Sequence, residues 1–250
     1  MKKFFSTTMI AAALFAGAAH ADEIVSETRT IDGRAVKVVL DGVIDLKLKQ
    51  GPAALVVSGD KRYLPKVMVT QSGDTLRIST DLNGVHLNNP KLRAELSLPQ
   101  VRELVSAGVG STEMNGFNGD DLRLSLEGAG AVKVNSQYRK VEARLTGVGS
   151  MNVIANTAEN VDLNLKGAGQ ITISGQSRNL HAQLGGIGSL DARQLQSDTL
   201  DAEMTGLGSA TFYAKNSANL RLSGMGSATV FGKPAARNAT ARGLGSVAWN

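Results

Sequence analysis

Seven charged or titratable residues of alternating sign are the part of this sequence that could perform acid–base chemistry. They are Arg123, Glu142, Arg144, Asp162, His181, Asp201 and Glu203. Carboxylates beside a basic group can act as general acid and base, the chemistry that cleaves polysaccharides. Each residue stands at a polar position between apolar neighbours, where any solvated β-strand carries charge. We therefore assign no catalytic residue and keep a polysaccharide-active enzyme as an alternative.

Candidate ligands for a metal or a cofactor are scarce. The sequence has no cysteine, and beyond residue 21 its histidines are His86 and His181, too few for a histidine metal site. Recurring Gly-x-Gly triplets lack the third glycine and the helix of a dinucleotide loop. Their period is also twice the nine residues of calcium-binding repeats. The sequence thus predicts no metal site and no cofactor.

Those Gly-x-Gly triplets recur eight times at nearly constant spacing. Their first glycines are Gly108, Gly128, Gly147, Gly167, Gly186, Gly206, Gly224 and Gly243. The intervals are 20, 19, 20, 19, 20, 18 and 19 residues. Such a period is typical of a solenoid, in which each unit buries its apolar face only against its neighbours.

The residues between triplets alternate as β-strands do. Leu122, Leu124 and Leu126 stand six, four and two places before a first glycine, and the residues between them are polar. This period of two indicates strands with one face inward and one face outward. The sequence therefore predicts an all-β fold, a single-stranded parallel β-helix with about 19–20 residues per rung. Parallel crossovers are overwhelmingly right-handed, so we expect a right-handed helix.

Two regions with different regularity follow the first 21 residues. Residues 101–250 carry the regular repeat. Residues 22–100 carry six shorter apolar segments, which we expect to be short strands: Val36–Leu40, Val43–Leu48, Leu55–Val57, Val67–Val69, Leu76–Ile78 and Leu92–Leu98. We expect residues 22–100 to form irregular rungs that cap the first edge of the helix. A separate small β domain is the alternative.

The triplets themselves suggest how each corner is built. The residue between the two glycines is always apolar, and we expect it to point inward, with glycine allowing the bend through positive φ or close approach. A serine stands three places after the first glycine in six units: Ser111, Ser150, Ser189, Ser209, Ser227 and Ser246. We interpret these hydroxyls as partners of corner amides. The alternative is a hydroxyl ladder that binds sugar or ordered water.

The first 21 residues have the composition of a bacterial secretion signal. Lys2 and Lys3 precede an apolar run at Met9–Ala18, and Ala19–Ala21 supplies the small residues that signal peptidase accepts. The run is shorter than the about 20 residues that span a bilayer, and no other segment is long and apolar enough. We predict a signal peptide at residues 1–21 and an exported protein, located in the periplasm or at the cell surface.

The charge of the chain gives no reason to expect a nucleic-acid partner. Removal of the predicted signal lowers the basic residues from 27 to 25 against 22 acidic residues, so the net charge falls from +5 to +3. The charges are interspersed along the chain and form no basic cluster. We therefore predict that the protein does not bind nucleic acid.

Several segments together resemble the head-GIN domain family, described as autotransporter adhesin heads. They are Asp41–Gly51, Val56–Asp60, Leu64–Val67, Asp74–Ile78, Leu96–Pro99 and the Gly-x-Gly-Ser series. The resemblance covers about residues 30 to 250. It implies an extracytoplasmic β-helical domain and points to adhesion, and it transfers no catalytic residue to this chain.

The combined interpretation is a non-enzymatic, exported, adhesin-like module with a binding or structural role. The partners that this interpretation allows are a cell-surface glycan or an envelope protein, and the oligomeric state is left open. A self-assembling envelope component is a further alternative, because a final rung at Val247–Trp249 would expose an unpaired strand edge.

Overall fold

The structure is a computed structural model that describes residues 24–81 and 91–250. The predicted signal peptide and His86 lie outside the described residues. Within these ranges the chain forms seventeen strands of one continuous sheet and one 3-10 turn at Leu64–Lys66. The strands are β1 (Ile24–Arg29), β2 (Lys37–Asp41), β3 (Asp45–Gln50), β4 (Ala54–Asp60), β5 (Val67–Ser72), β6 (Thr75–Thr80), β7 (Arg93–Leu98), β8 (Glu103–Ser106), β9 (Val109–Leu126), β10 (Ala129–Leu145), β11 (Val148–Leu165), β12 (Ala168–Leu184), β13 (Ile187–Met204), β14 (Leu207–Leu222), β15 (Met225–Phe231), β16 (Ala236–Ala241) and β17 (Ser246–Trp249).

Strands β9 to β14 are long because each one follows a whole rung of a parallel β-helix. They run for 16 to 18 residues, from one glycine corner to the next. Each pairs in parallel with the strand one rung away, so that Leu126 aligns with Leu145 and Leu145 with Leu165. The all-β, parallel β-helical fold predicted from the glycine spacing is confirmed.

The core is a stack of apolar side chains from the inward positions of successive rungs. Leu145, Leu165, Leu184, Met204 and Leu222 form one such column, and each is buried. Burial of one such side chain contributes about 1.5–3 kcal/mol relative to its exposure. Because every rung is covered by its neighbours, the column makes stability a property of the stack rather than of a single rung.

The first rungs are stacked in an order that differs from the order of the chain. Strand β2 pairs in parallel with β6 on one side and β8 on the other, and β3 pairs with β7 and β9. The rung of β2 and β3 therefore lies between the rung of β6 and β7 and the rung that begins with β8. The six short strands expected before residue 100 correspond to β2 through β7.

The two ends of the β-helix are finished in different ways. At the first end, β4 pairs antiparallel with β7 and β1, and β5 pairs antiparallel with β6. At the other end, β16 pairs with β14 and β17 pairs with β15. The Arg237 guanidinium lies 5.6 Å from the centre of the Trp249 ring, which places an amphipathic side chain over the last apolar layer.

The glycine corners are built with the opposite orientation to the one expected. The alternation of inward and outward residues continues through each corner, so the two glycines take inward positions and the apolar residue between them is exposed. A Cβ on Gly128 would lie 2.0 Å from the carbonyl oxygen of Gly108, and a Cβ on Gly147 would lie 2.0 Å from that of Gly128. The expectation of an inward apolar residue is wrong, because the carbonyl of the preceding rung fills that space.

Close approach, rather than a special backbone angle, is the common reason for glycine at these corners. The φ angle is positive at Gly110 (147°) and Gly149 (148°), whereas Gly130 and Gly147 have no such positive φ angle. All four face a backbone carbonyl at a distance that no Cβ tolerates. Stacking at about 4.8 Å between rungs therefore fixes the residue type.

The same close stacking satisfies the corner amides through the backbone. The N–H of Ala129 donates to the carbonyl of Gly108 (3.0 Å), and the N–H of Val148 donates to the carbonyl of Gly128 (2.9 Å). The interpretation of the corner serines as partners of these amides is therefore wrong. The bend leaves no amide unpaired at these positions, since each one reaches the rung before it.

Candidate functional site

The seven charged residues that could perform acid–base chemistry all lie on the outer surface of the same stretch of sheet, which we call the charged face. Arg123, Glu142, Asp162, His181 and Asp201 occupy the same position in five successive rungs. Arg144 and Glu203 occupy the next outward position in their rungs. The β-helix therefore brings the seven residues onto one surface, in the order that the repeat predicts.

Most carboxylates of the charged face are close to a cation of the same face. Glu142 lies 3.1 Å from the guanidinium of Arg144 and 3.6 Å from that of Arg123. Asp201 lies 3.8 Å from both His181 Nδ1 and an Arg221 nitrogen. These pairs are partly exposed, and exposed pairs contribute at most about 1 kcal/mol each. The arrangement is that of a solvated sheet with compensated charge.

A concave surface lies on another side of the β-helix, where the chain in each rung is about midway between two glycine corners. It is a groove of about 620 Å³, which we call the lateral groove. Its polar lining residues are Arg139, Thr157, Glu159, Gln176, Ser177, Arg178, Gln196, Ser197, Asp198, Tyr213 and Lys215. They come from β10 to β14, so five successive rungs build the groove.

Charges of opposite sign alternate along the lateral groove. Arg139 is 3.1 Å from Glu159 and 3.5 Å from Asp120, and the hydrogen bond to Glu159 raises the pKa of Arg139 further above its usual value. The register places Arg178 beside Glu159 in the next rung and Asp198 beside Arg178 in the one after. The positive and negative side chains therefore nearly cancel along the groove.

Neutral hydrogen-bonding groups complete the lateral groove. The amide side chains of Gln176 and Gln196 are exposed and stacked in register. Tyr213 is partly exposed at one end, and its ring lies against Gly232, where a Cβ would be 3.0 Å from the ring. Amide groups, hydroxyls and one aromatic ring can together hold a polar ligand with an apolar face.

The glycine corners form a second unusual surface, a single row of exposed side chains that we call the corner ridge. Its residues are Val109, Ala129, Val148, Ala168, Ile187, Leu207, Met225 and Leu244. The exposed fractions of the larger ones are 52% for Val109, 61% for Val148, 63% for Ile187, 42% for Leu207, 59% for Met225 and 83% for Leu244. Contiguous exposed apolar surface of this kind marks an interaction site.

The six corner serines lie beside the corner ridge and point outward. The register stacks Ser189, Ser209, Ser227 and Ser246 in four successive rungs. At the first rung of the row, both the N–H and the hydroxyl of Ser111 donate to Asp45 Oδ1, at 2.7 Å and 2.9 Å. The serines thus give the ridge a neutral, hydrophilic border.

Within residues 24–81 and 91–250, no group of three or more His, Asp or Glu side chains is arranged to hold a metal ion. Over the same residues, none of the helical segments has the length and apolar character needed to cross a bilayer.

Comparison with known proteins identifies the family. A model of the family described as "Putative auto-transporter adhesin, head GIN domain" matches residues 36–169 and 136–234. The chain belongs to this family. The resemblance of the Gly-x-Gly-Ser series to the head GIN domain is thereby confirmed. No curated protein matches the chain.

Solved structures of similar fold include three from Parabacteroides species. A "putative adhesin" of Parabacteroides distasonis is 20% identical, with a TM-score of 0.82 over 91% of this chain and 97% of that one. One from Parabacteroides merdae is 18% identical, with a TM-score of 0.81 over 91% and 96%. A "putative lipid binding protein" of Parabacteroides distasonis is 19% identical, with a TM-score of 0.80 over 91% and 96%. At these identities the likeness concerns the fold of the head GIN domain.

Sequence reasoning missed both the lateral groove and the corner ridge. The ridge could have been found from the alternation, because a residue three places after the inward Leu184 takes an outward position, and that residue is Ile187. The groove had no comparable signal. It depends on how the irregular part of each rung curves, where the register shifts between Ile154 and Thr157 in β11 and between Thr172 and Ser174 in β12.

Proposed function

We propose that this protein is an exported, non-enzymatic, adhesin-like module that holds a neutral glycan of a cell surface in its lateral groove. The observation that carries the proposal is the groove itself. It has a volume of about 620 Å³, and it is lined by polar side chains from five rungs. Ligand sites are usually concave and carry a few convergent polar groups.

The charge balance of the lateral groove favours a neutral ligand over a polyanion. Arg139 is engaged by Glu159 and Asp120, and Arg178 lies between Glu159 and Asp198 along the stack. An anionic ligand would have to compete with these internal carboxylates. Sugar hydroxyls can instead bond to the amides of Gln176 and Gln196, while a sugar ring packs on Tyr213.

Export and surface location are part of the same proposal. They are supported by the secretion-signal composition of residues 1–21 and by the description of the family as an adhesin head. A stiff β-helix whose binding groove runs across several rungs would present that groove at a fixed orientation, as a module that bridges surfaces requires.

Polysaccharide cleavage is the alternative that the charged face keeps open. Arg123, Glu142 and Arg144 line a hollow of about 410 Å³, but Glu142 is paired there with both arginines. Asp201 likewise lies beside Arg221, so these carboxylates are engaged by neighbouring cations. Release of oligosaccharides from peptidoglycan, pectin or alginate that is lost in Asp162→Asn, Asp201→Asn or Glu203→Gln would support the enzyme and contradict the proposal.

Glycan-array binding by the processed protein tests the proposed function. We expect binding to neutral glycans that falls at least about tenfold in the Tyr213→Ala variant and in the Gln176→Ala/Gln196→Ala variant, since these remove the ring and the amides. Gln170→Ala is the matched control, because Gln170 is an exposed amide next to the corner ridge. Binding unaffected by the groove variants, or no binding to any neutral glycan, would overturn the proposal.

A further inference from the structure

The corner ridge is a row of apolar side chains that stands exposed, and no other residue within 24–81 and 91–250 covers it. Its members are in register from rung to rung, since Val148 aligns with Ala168, Ala168 with Ile187, and Ile187 with Leu207. At about 4.8 Å per rung, the eight residues extend for about 34 Å. The hollow along Ile187, Leu207 and Met225 is wide and open, so the ridge suits another extended surface better than a small ligand that must be enclosed.

The sizes of the ridge residues follow a gradient along the row. The first four are Val109, Ala129, Val148 and Ala168, and the last four are Ile187, Leu207, Met225 and Leu244. Two ridges in antiparallel orientation would pair each small residue with a large one: Val109 with Leu244, Ala129 with Met225, Val148 with Leu207, and Ala168 with Ile187. In parallel orientation, Ala would face Ala and Met would face Met, which leaves alternating gaps and clashes.

From this complementarity we infer that two copies of the protein associate through their corner ridges in antiparallel orientation, about a two-fold axis between Ala168 and Ile187. A two-fold interface uses the same patch on both copies and must be self-complementary. The size gradient makes the ridge self-complementary when the two copies are antiparallel, and not when they are parallel.

The polar borders of the ridge are compatible with the same two-fold axis. On one side stand the residues that precede the first glycines, and the axis would place Glu127 opposite Ser223 and Lys166 opposite Gly185. No like charges meet there. On the other side it would place Ser150 opposite Ser209, and hydroxyls can donate to and accept from each other.

The narrow width of the ridge predicts a weak dimer. One row of residues with its borders buries about 1,200 Å² in total. This area is at the low end for specific complexes and is typical of transient association. We therefore expect a dissociation constant of about 1–100 µM. The lateral groove lies about half a rung away along the chain, so dimerisation and glycan binding can be tested separately.

Sedimentation velocity of the processed protein over a concentration series measures the association. We expect a monomer that converts to a dimer, and an at least about tenfold larger dissociation constant for Ile187→Ser/Met225→Ser. Because both side chains are exposed, this variant should keep its melting temperature. Thr172→Ser, a conservative change on the adjacent flat face, is the control. A monomer at every concentration, or a dimer unaffected by the ridge variant, would overturn the inference.

Disulfide trapping tests the orientation, since the native chain has no cysteine. Two single variants, Val148→Cys and Leu207→Cys, are mixed under mild oxidation, one of them carrying a mass tag. Antiparallel ridges predict that the mixed disulfide exceeds both homodisulfides, whereas parallel ridges predict homodisulfides. Homodisulfides alone, or flotation of a monomeric wild-type protein with phosphatidylglycerol vesicles that Ile187→Ser/Met225→Ser abolishes, would contradict the antiparallel dimer.

Discussion

Gly186 stacks so closely on Gly167 that a Cβ on Gly186 would lie 2.1 Å from the carbonyl oxygen of Gly167. Gly185, one residue earlier, is in a different situation, because the nearest atom to its Cβ would be Thr205 Oγ1 at an ordinary 3.5 Å. Two adjacent glycines thus differ in what the fold requires of them. The repeat needs glycine where rungs touch through their backbones, and tolerates other residues beside that point.

The first prediction compares alanine at these two positions. Gly186→Ala should destabilise the fold by about 2–4 kcal/mol, because its methyl group would have to displace the carbonyl of Gly167. Gly185→Ala should change the free energy of unfolding by less than about 0.5 kcal/mol. Urea denaturation of both variants measures the difference.

Larger substitutions at the corners extend this comparison. Gly147→Val and Gly206→Val should each cost at least as much as Gly186→Ala, since each Cβ would lie about 2 Å from a carbonyl oxygen of the preceding rung. Equal stability of the Gly185 and Gly186 variants would show that the rungs are farther apart than described.

The second prediction tests the orientation of the ridge residues. Ile187 is 63% exposed and Leu190 is 1% exposed, although both are apolar residues near the same corner. Ile187→Ala should change the unfolding free energy by less than about 0.5 kcal/mol, and Leu190→Ala should reduce it by about 2–5 kcal/mol. Measurements at low protein concentration avoid a contribution from self-association.

The reverse result would support an apolar corner residue that points inward. If Ile187→Ala costs as much as Leu190→Ala, the residue between the glycines belongs to the core. The corner ridge and the proposed dimer would then both be excluded.

Sequence spacing was sufficient for the fold because the signal is repeated. Leu145, Leu165 and Leu184 return at almost constant intervals and alternate with polar residues, which a solenoid alone explains. The orientation of Ile187 was implied by the same alternation. The expected inward orientation is wrong because an apolar residue between two glycines resembles a core position.

Other features depend on information that the repeat does not contain. The rung of β6 and β7 stacks on the outer side of the rung of β2 and β3, although it comes later in the chain. Short irregular strands do not encode this stacking order in their local sequence. The lateral groove likewise depends on register shifts in the least regular third of each rung. The residues that line it, such as Gln176 and Gln196, look like ordinary surface residues in the sequence.

The third prediction concerns the charges of the lateral groove. Arg139 is 66% exposed, so its ion pairs with Glu159 and Asp120 are open to solvent and to salt. Arg139→Met should lower the melting temperature only slightly at low ionic strength, and by less still at 0.5 M salt, because solvent and salt screen exposed ion pairs. Thermal melts of both proteins at two salt concentrations measure the effect. A loss of melting temperature as large as that of a core substitution such as Leu190→Ala would mean that this pair is structurally essential.

The fourth prediction uses Tyr138, whose phenol is buried in the core with its hydroxyl donating to the carbonyl of Val101 at 2.5 Å. Tyr138→Phe leaves that carbonyl without the donor. The variant should therefore lose about 1–3 kcal/mol of stability at pH 7. Urea denaturation provides the measurement, and Tyr213→Phe, at a partly exposed ring, is the control.

The pH dependence of the same variant gives an independent readout. Burial raises the pKa of Tyr138 above its usual value of about 10. The folded state then keeps a proton that the unfolded state releases, so this contribution to stability is complete below about pH 10 and is lost as the pH rises through the folded-state pKa. Above pH 10 the wild-type protein should lose up to about 1.4 kcal/mol per pH unit from this group, whereas Tyr138→Phe lacks that loss. If the free energy of unfolding changed with pH in the same way for both proteins between pH 9 and 11, the phenol would lie outside the core.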